Sequence, residues 1–309
     1  MWFKNLRLFR LTQALEFTPE ELEKYLAHHA SRPCGRMEMF SLGWAPPLGR
    51  DGKMLTHVTN GNIMICARKE EKVLPASVVR DFVTDRIVEI EDSQLRKVSW
   101  KERKSIRDEI IYDLLPKAFT RSILTYAYLS PLDQWLVVDA SYAHKAEELT
   151  SLLRHSIGTL HMTPPAVRRS PTVVMTDWLS QGNTPSDFEI DDECELREPS
   201  KEGSVVRCKR QDLISDEIQA HLNAGKQASK LALRWDERLS FVLGDDLSIK
   251  RLKFEDVLQE EVAEVDADDA AARFDADFAL MSLELTRLLR RLIEILGGEE
   301  HEAAQGKAA

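Results

Sequence analysis

From Trp2 to Leu11 apolar residues interleave with Lys4, Arg7 and Arg10, which predicts a strand. Thr18-Pro19-Glu20-Glu21 then reads as a helix start. Threonine stands at the N-cap, proline at the first helical position, and Glu21 closes a capping box. Leu22, Tyr25 and Leu26 supply that helix's apolar stripe, and Gly35 is placed just past its end. Asn60-Gly61 between two apolar runs predicts a hairpin. After Pro75, the positions Val78, Val79, Phe82, Val83, Ile87 and Ile90 keep a helical period and predict a long helix. A second helix runs from about Trp100 to Leu115, with Ile106, Ile110 and Leu114 inward, its bases outward and Pro116 at its end. Residues 122–140 read as strand, turn and strand. A helix capped by Ser141 follows, with the stripe Leu149, Leu152 and Leu153, and Gly158 closes it.

The second half repeats the alternation. Residues 161–171 hold three prolines and read as a linker, and SQGNTPSD at 180–187 reads as a loop. SVVRCKR is a strand, and Ser215 caps a short helix with Asp216 and Glu217 in its first turn, ended by Gly225. ASKLALRW and RLSFVL form a hairpin across Asp236-Glu237, and SIKRLKF adds a further strand. In the first of these, Leu231, Leu233 and Trp235 point one way while Lys230, Ala232 and Arg234 point the other. An acidic loop to Asp269 leads into a long helix with the stripe Phe278, Met281, Leu285, Leu288, Leu289, Leu292 and Leu296. That stripe suits an internal core or a seam between protomers. Gly297-Gly298 ends the helix, and the remaining tail is expected to fray.

These elements define an α+β chain: a mixed α/β core with a helical insertion and a C-terminal helix. NIMICARKEEKVLPASVV and VVRCKRQDLISDEI share a layout of strand, cysteine, basic cluster and helix start, which makes an internal duplication a candidate. The expected organisation is an N-terminal α/β unit over 1–75 and 116–165, a helical insertion over 76–115, a C-terminal α/β unit over 166–254, and an acidic C-terminal segment over 255–309.

Charge changes the picture. The 309 residues carry a net charge of −10, yet residues 255–309 hold fifteen Asp/Glu and five Lys/Arg. Removing these from totals of 52 acids and 42 bases leaves 37 of each for residues 1–254. Local fields rather than the global balance decide what such a chain binds. RKVSWKERKSIR at 96–107 has six bases against one acid, and 204–239 has seven against five. There is no apolar run of transmembrane length, and the N-terminus lacks a signal peptide's pattern. The four cysteines form no CxxC and read as free thiols of a reducing compartment.

Catalytic and cofactor motifs are missing. Gly225-Lys226 lacks the upstream glycine and the following Ser/Thr of a phosphate-binding loop. His28-His29 and His57 have no metal-ligand spacing and read as surface or structural residues. Asp275 and Asp277 read as a solvated helix start before they read as a metal site. No GxSxG elbow is present. The expectation is a non-enzyme without cofactor or metal. Gathered bases remain, and these need no fixed spacing to grip phosphates.

Many ordered segments resemble the RdgC family of bacterial recombination-associated proteins. They are WFKNLRLFRL, PCG at 33–35, GWAPPLG at 43–49, LTHVTNGNIMICARKEEKVLP at 55–75, LLPKAF at 114–119, KRQDL at 209–213, AGKQASKLAL at 224–233, SIKRLKF and RFDADFALM. The alanine-rich acidic segment 262–272 and the tail after Gly298 depart from the pattern. The resemblance implies a ring-shaped homodimer with a positively charged hole. It also implies binding of duplex DNA without sequence specificity, single strands remaining open as a further ligand. Antagonism of the recombinase RecA and a cytoplasmic, nucleoid-associated location follow from it as well. DNA contact is then expected first from Lys209, Arg210, Gln211 and Lys226, and next from Lys230 and Arg234. Arg96, Lys97, Lys101, Arg103 and Lys104 either line the hole or solvate a protruding tip. Phe119 matches a position at the family's gate between protomers, its other reading being core. A protein-interaction scaffold that touches DNA only incidentally is the competing function.

Overall fold

The structure is a computed structural model that describes residues 1–49, 52–200, 203–255, 258 and 270–300. Strand β1 (Leu6–Leu11) is followed by α1 (Pro19–Ala27), β2 (Phe40–Ala45), β3 (Thr56–Thr59) and β4 (Asn62–Lys72). A helical hairpin, α2 (Ala76–Gln94) and α3 (Trp100–Leu114), separates β4 from β5 (Thr120–Ser130). Then come β6 (Trp135–Asp139), α4 (Ala143–Ile157), β7 (Met162–Thr163) and α5 (Pro171–Gln181). The second half adds β8 (Phe188–Arg197), β9 (Val205–Lys209), α6 (Asp216–Asn223), β10 (Gln227–Trp235), β11 (Leu239–Gly244), β12 (Ile249–Phe254) and α7 (Ala270–Ile295).

All twelve strands join one sheet in the order β2-β4-β5-β6-β1-β12-β11-β10-β8-β9, with β3 on β4 and β7 on β1. Its ladders between these strands are antiparallel. β1 stitches the halves together, pairing β6 on one side and β12 on the other. The period-2 alternation of strands builds two cores on opposite faces. On β4–β6, Met64, Tyr128 and Val137 belong to one core while Ile65, Leu129 and Leu136 belong to the other. The first core is roofed by α5, α6 and α7, through Trp178, Ile218, Phe278 and Leu288 among others. The second is roofed by α1 and α4 through Leu22, Leu26, Leu149 and Leu153. Helices α1 and α4 therefore sit on the opposite side of a shared sheet from α5, α6 and α7.

Local signals hold where the backbone itself carries them. Thr18 and Glu21 form the reciprocal capping box. Asn60 and Gly61 both take positive φ, 50° and 77°, as a tight hairpin requires. Asp236 and Glu237 do the same at 51° and 53°, although neither is glycine. The expected C-terminal helix is present, and its stripe is core within the chain, with Met281, Leu285 and Leu288 fully buried.

Other expectations need correction. α1 ends at Ala27, well before Gly35. α4 begins after Tyr142, not Ser141, and no side chain caps it. Ser215 does precede α6, but its hydroxyl caps nothing and is a buried orphan. The linker at 161–171 contains β7, paired to β1, and its last proline opens α5. The periodic stripe on α2 is mostly not buried: Val79 is, whereas Val78 and Phe82 are exposed. Periodicity shows that a helix has an apolar face but not what covers it. The acidic loop expected before Asp269, Leu258 apart, and the tail beyond residue 300 lie outside the described residues.

Candidate nucleic-acid interface

The face of β8–β12 turned away from α5, α6 and α7 carries no helix roof from those elements, and its composition is charged. Residues directly opposed across antiparallel strands share a face, so the register defines it. Glu195 lies between Lys230 of β10 and Arg207 of β9. Glu193 lies opposite Lys209. Arg234 stands opposite Glu189 on one side and Ser240 on the other, and Ser240 is opposite Lys253. Val242 stands between Ala232 and Lys250. The alternation read from residues 230–235 is thus realised, although β8 and β10 shift register twice.

The bases on this face are organised by carboxylates. Glu195, with a side chain only 6% exposed, accepts from Lys230 Nζ at 2.8 Å and from Arg207 Nε at 2.8 Å. Arg197 lies at 3.4 Å from its other oxygen, and Ser229 Oγ donates to it at 3.0 Å. Burial alone would raise the Glu195 pKa, but hydrogen bonds from Lys230, Arg207 and Ser229 outweigh it and hold the carboxyl down at about 2. Glu193 pairs with Arg251 at 2.7 Å and with Lys209 at 3.7 Å. Arg251 has φ 52° at the point where the β11–β12 register shifts, so the bulge sends its side chain out of step with its neighbours. Arg234 lies 4.0 Å from Asp191. Lys250 and Lys253 form no ion pair with a described residue. One carboxylate thus gathers three bases, another gathers two, and the surplus on this face is positive.

The candidate residues do not form one cluster. Lys209, Lys230 and Arg234 share the open face. Arg210 follows β9 in the left-handed region at φ 55° and lines a shallow hollow with Asp191, Asp192 and Asp212. The Gln211 amide donates to Glu217 at 2.8 Å. Lys226 stands at the other end of β9, where its ammonium donates to the Ser204 hydroxyl. Ser204 and Arg210 bracket the strand, a span of roughly 20 Å at about 3.3 Å per residue. Arg197 and Arg207 were missed as candidates. Arg207 lies within the basic stretch 204–239, but only the β8–β9 register shows that it shares Glu195 with Lys230.

The second basic set lies on the α2–α3 hairpin, beyond β6, β1, β12 and β11 in the sheet order. Arg96 makes a two-pronged pair with Glu102 at 2.6 and 2.7 Å, and Lys97 reaches Glu91 at 3.1 Å. Both occupy the bend between the helices. Lys101, Arg103 and Lys104 are exposed on α3 and form no ion pair with a described residue. The hairpin also displays apolar side chains: Phe82 is 51% exposed, Trp100 77%, and Phe119 at its base 86%. Phe119 is not core.

The aspartates at the start of the long helix are tethers, Asp275 half exposed and Asp277 largely buried. Asp275 accepts from Thr59 and sits 2.9 Å from His57 Nε2, while Asp277 binds the amino group of Met1. His57 is therefore structural, holding α7 to β3. Among the described residues, no group of three or more His, Cys, Asp or Glu is arranged to hold a metal ion. No described helix is long and apolar enough to cross a membrane.

An α+β chain with one continuous antiparallel sheet, helices on alternate faces and a positively biased strand face that no described helix covers defines the class. The family model described as "Putative exonuclease, RdgC" matches residues 1–299. The chain is 49% identical over 300 residues to a recombination-associated protein RdgC of Aeromonas hydrophila, covering 97% of this chain and 99% of that one. Proteins of the same name from Tolumonas auensis and Pseudomonas aeruginosa are 47% and 46% identical, over 98% and 97% of this chain and 100% and 98% of theirs. The chain belongs to the RdgC family of recombination-associated proteins.

Proposed function

We propose that this chain binds DNA without sequence preference, as a ring-shaped homodimer around the duplex, and limits the access of the recombinase RecA to it. The observation that carries the reading is the uncovered face of β8–β12, where Lys209, Lys230, Arg234, Arg251 and their neighbours outnumber the acids that order them. Such a face offers phosphate contacts and no groove-reading helix, so it grips backbone rather than bases. The apolar side chains on the α2–α3 hairpin and Phe119 supply the surfaces through which two copies close the ring. The protein acts by occupancy, without cleaving DNA, in the cytoplasm on the nucleoid.

Fluorescence anisotropy with two unrelated linear duplexes across a salt series tests this. With roughly 6–10 phosphates covered by the dimer, affinity falls by about 10³–10⁵ between 50 and 200 mM salt and is the same for both sequences. A flat salt response, or no binding at low salt, would leave the strand face as ordinary surface and favour a protein-interaction scaffold. Incubating an end-labelled duplex with Mg²⁺ or Mn²⁺ checks the non-enzymatic part: the label is retained. Its progressive loss would establish the exonuclease activity that the family description names.

A further inference from the structure

Four cysteines lie in the chain, and two of them meet. Cys194 of β8 and Cys208 of β9 are directly opposed in the ladder. Opposed residues in an antiparallel pair have Cα atoms about 4.5 or 5.5 Å apart, according to whether they exchange hydrogen bonds. Both separations fall inside the range of about 4.4–6.8 Å that a disulfide spans, so a small approach of the two strands suffices to bridge the pair. Both side chains are buried in the core that α5, α6 and α7 roof. Cys66 faces Tyr126 instead, and Cys34 accompanies Glu38.

We propose that Cys194 and Cys208 form a reversible cross-strand disulfide when the protein meets a peroxide, making this strand pair a redox modification site. The chemistry balances with one equivalent of hydrogen peroxide. One thiolate attacks the peroxide, taking one oxygen as a sulfenic acid and releasing hydroxide. The second thiolate then displaces hydroxide from the sulfenic sulfur, so two thiols and one peroxide become one disulfide and two waters. The position of β9 governs access. It is a five-residue edge strand, paired on one side only among the described residues, and elements with few neighbours open locally at low cost. Burial, and after it the adjoining Cys208 thiol, push the Cys194 thiol up to about 12. Oxidation is therefore slow at neutral pH and accelerates as pH rises. The bond formed ties the strand carrying Arg207 and Lys209 to the strand carrying Glu195 and Glu193. Reduction by a dithiol restores the free pair.

The test uses the full-length protein. It is exposed to hydrogen peroxide over a time course, blocked with N-ethylmaleimide in denaturant, digested and mapped by mass spectrometry. The expected product is a peptide pair joined through Cys194 and Cys208, with free thiols falling from four to two, and dithiothreitol reverses it. The rate of appearance rises at least severalfold between about pH 7 and pH 9. C208S yields no such pair, and because the main readout is on unaltered protein, a folding defect in that variant leaves the conclusion standing. Oxidation of Cys34 while Cys194 and Cys208 both remain alkylatable would overturn the proposal. So would sulfinic or sulfonic acids on either core cysteine without the linked peptide. None of these outcomes depends on DNA binding, so the inference stands or falls apart from the proposed function.

Discussion

At the scale of single residues, Glu195 decides how the open face behaves. A buried carboxylate among three bases orders their head groups and cancels one of their charges. Its depressed pKa has a consequence with a fixed sign. The stability it contributes is complete above the unfolded-state value of about 4.3 and is lost as pH falls through about 2. E195Q should therefore flatten the acid limb of the stability curve in that window, measured by urea unfolding at stepped pH. At neutral pH the same variant should cost about 1–2 kcal/mol, because its partner bases retain solvent when released. The bases themselves are probed by binding. R207Q and K230Q should each weaken duplex binding equally for unrelated sequences and reduce the salt slope by about one. Unchanged slopes in both would remove this cluster from the proposed interface. Arg210 gives a contrast, since it stands past the end of β9 with no ion pair to a described residue.

At the scale of elements, α2–α3 and α7 show how similar apolar stripes come to different ends. On α7 the stripe is packed against β10–β12 and β5, with Leu288 fully buried and in one core with Leu243 and Phe254. L288A should cost about 2–5 kcal/mol, the price of lost burial and a cavity, read as a lower denaturation midpoint. On α2–α3 the apolar side chains mostly face outward. F119A should leave stability within about 0.5 kcal/mol, since the ring is exposed in the single chain. If the ring closes through this residue, the same substitution should shift the sedimentation equilibrium toward monomer. A variant that stays fully dimeric would place the contact elsewhere. Hydrophobic period alone does not separate the two cases. The hint lies in mixture: α2 and α3 carry acids and bases throughout their length, whereas residues 278–289 hold apolar positions with few charges between.

At the scale of the whole molecule, one sheet spans both halves: β4–β6 are packed on both faces, whereas β8–β12 are roofed by α5, α6 and α7 on one face only among the described residues. An acidic chain thereby keeps a positively biased surface. The sheet order sends β8–β12 to one end and the hairpin, with Lys101, Arg103 and Lys104, toward the other. No single protomer gathers both basic sets on one strand face. In the proposed ring dimer, a second copy would set them around a common axis. The salt series described above reads this arrangement as a whole, since its slope counts phosphates met by the complete assembly.

Most strands, turns and helix boundaries could be read directly from the chain, because they depend on short-range physics. The capping box at Thr18, the Asn60-Gly61 turn and the alternation through Lys230–Trp235 are settled within a few residues. The apolar run of the C-terminal helix was legible for the same reason, as were the bases of 204–239 as a group. What only the tertiary structure decided was pairing: which strands neighbour one another, which stripe finds a cover, and which charges share a partner. β2, β8 and α5 were passed over: β8 mixes acidic and apolar positions without a clean period, whereas β2 and α5 are short apolar runs whose periodicity does not separate strand from helix. Glu195 with Arg207, Cys194 with Cys208, and Asp277 with the amino group of Met1 are contacts between residues up to 276 positions apart. Local propensity carries no information at such separations, whereas the register of a folded sheet does.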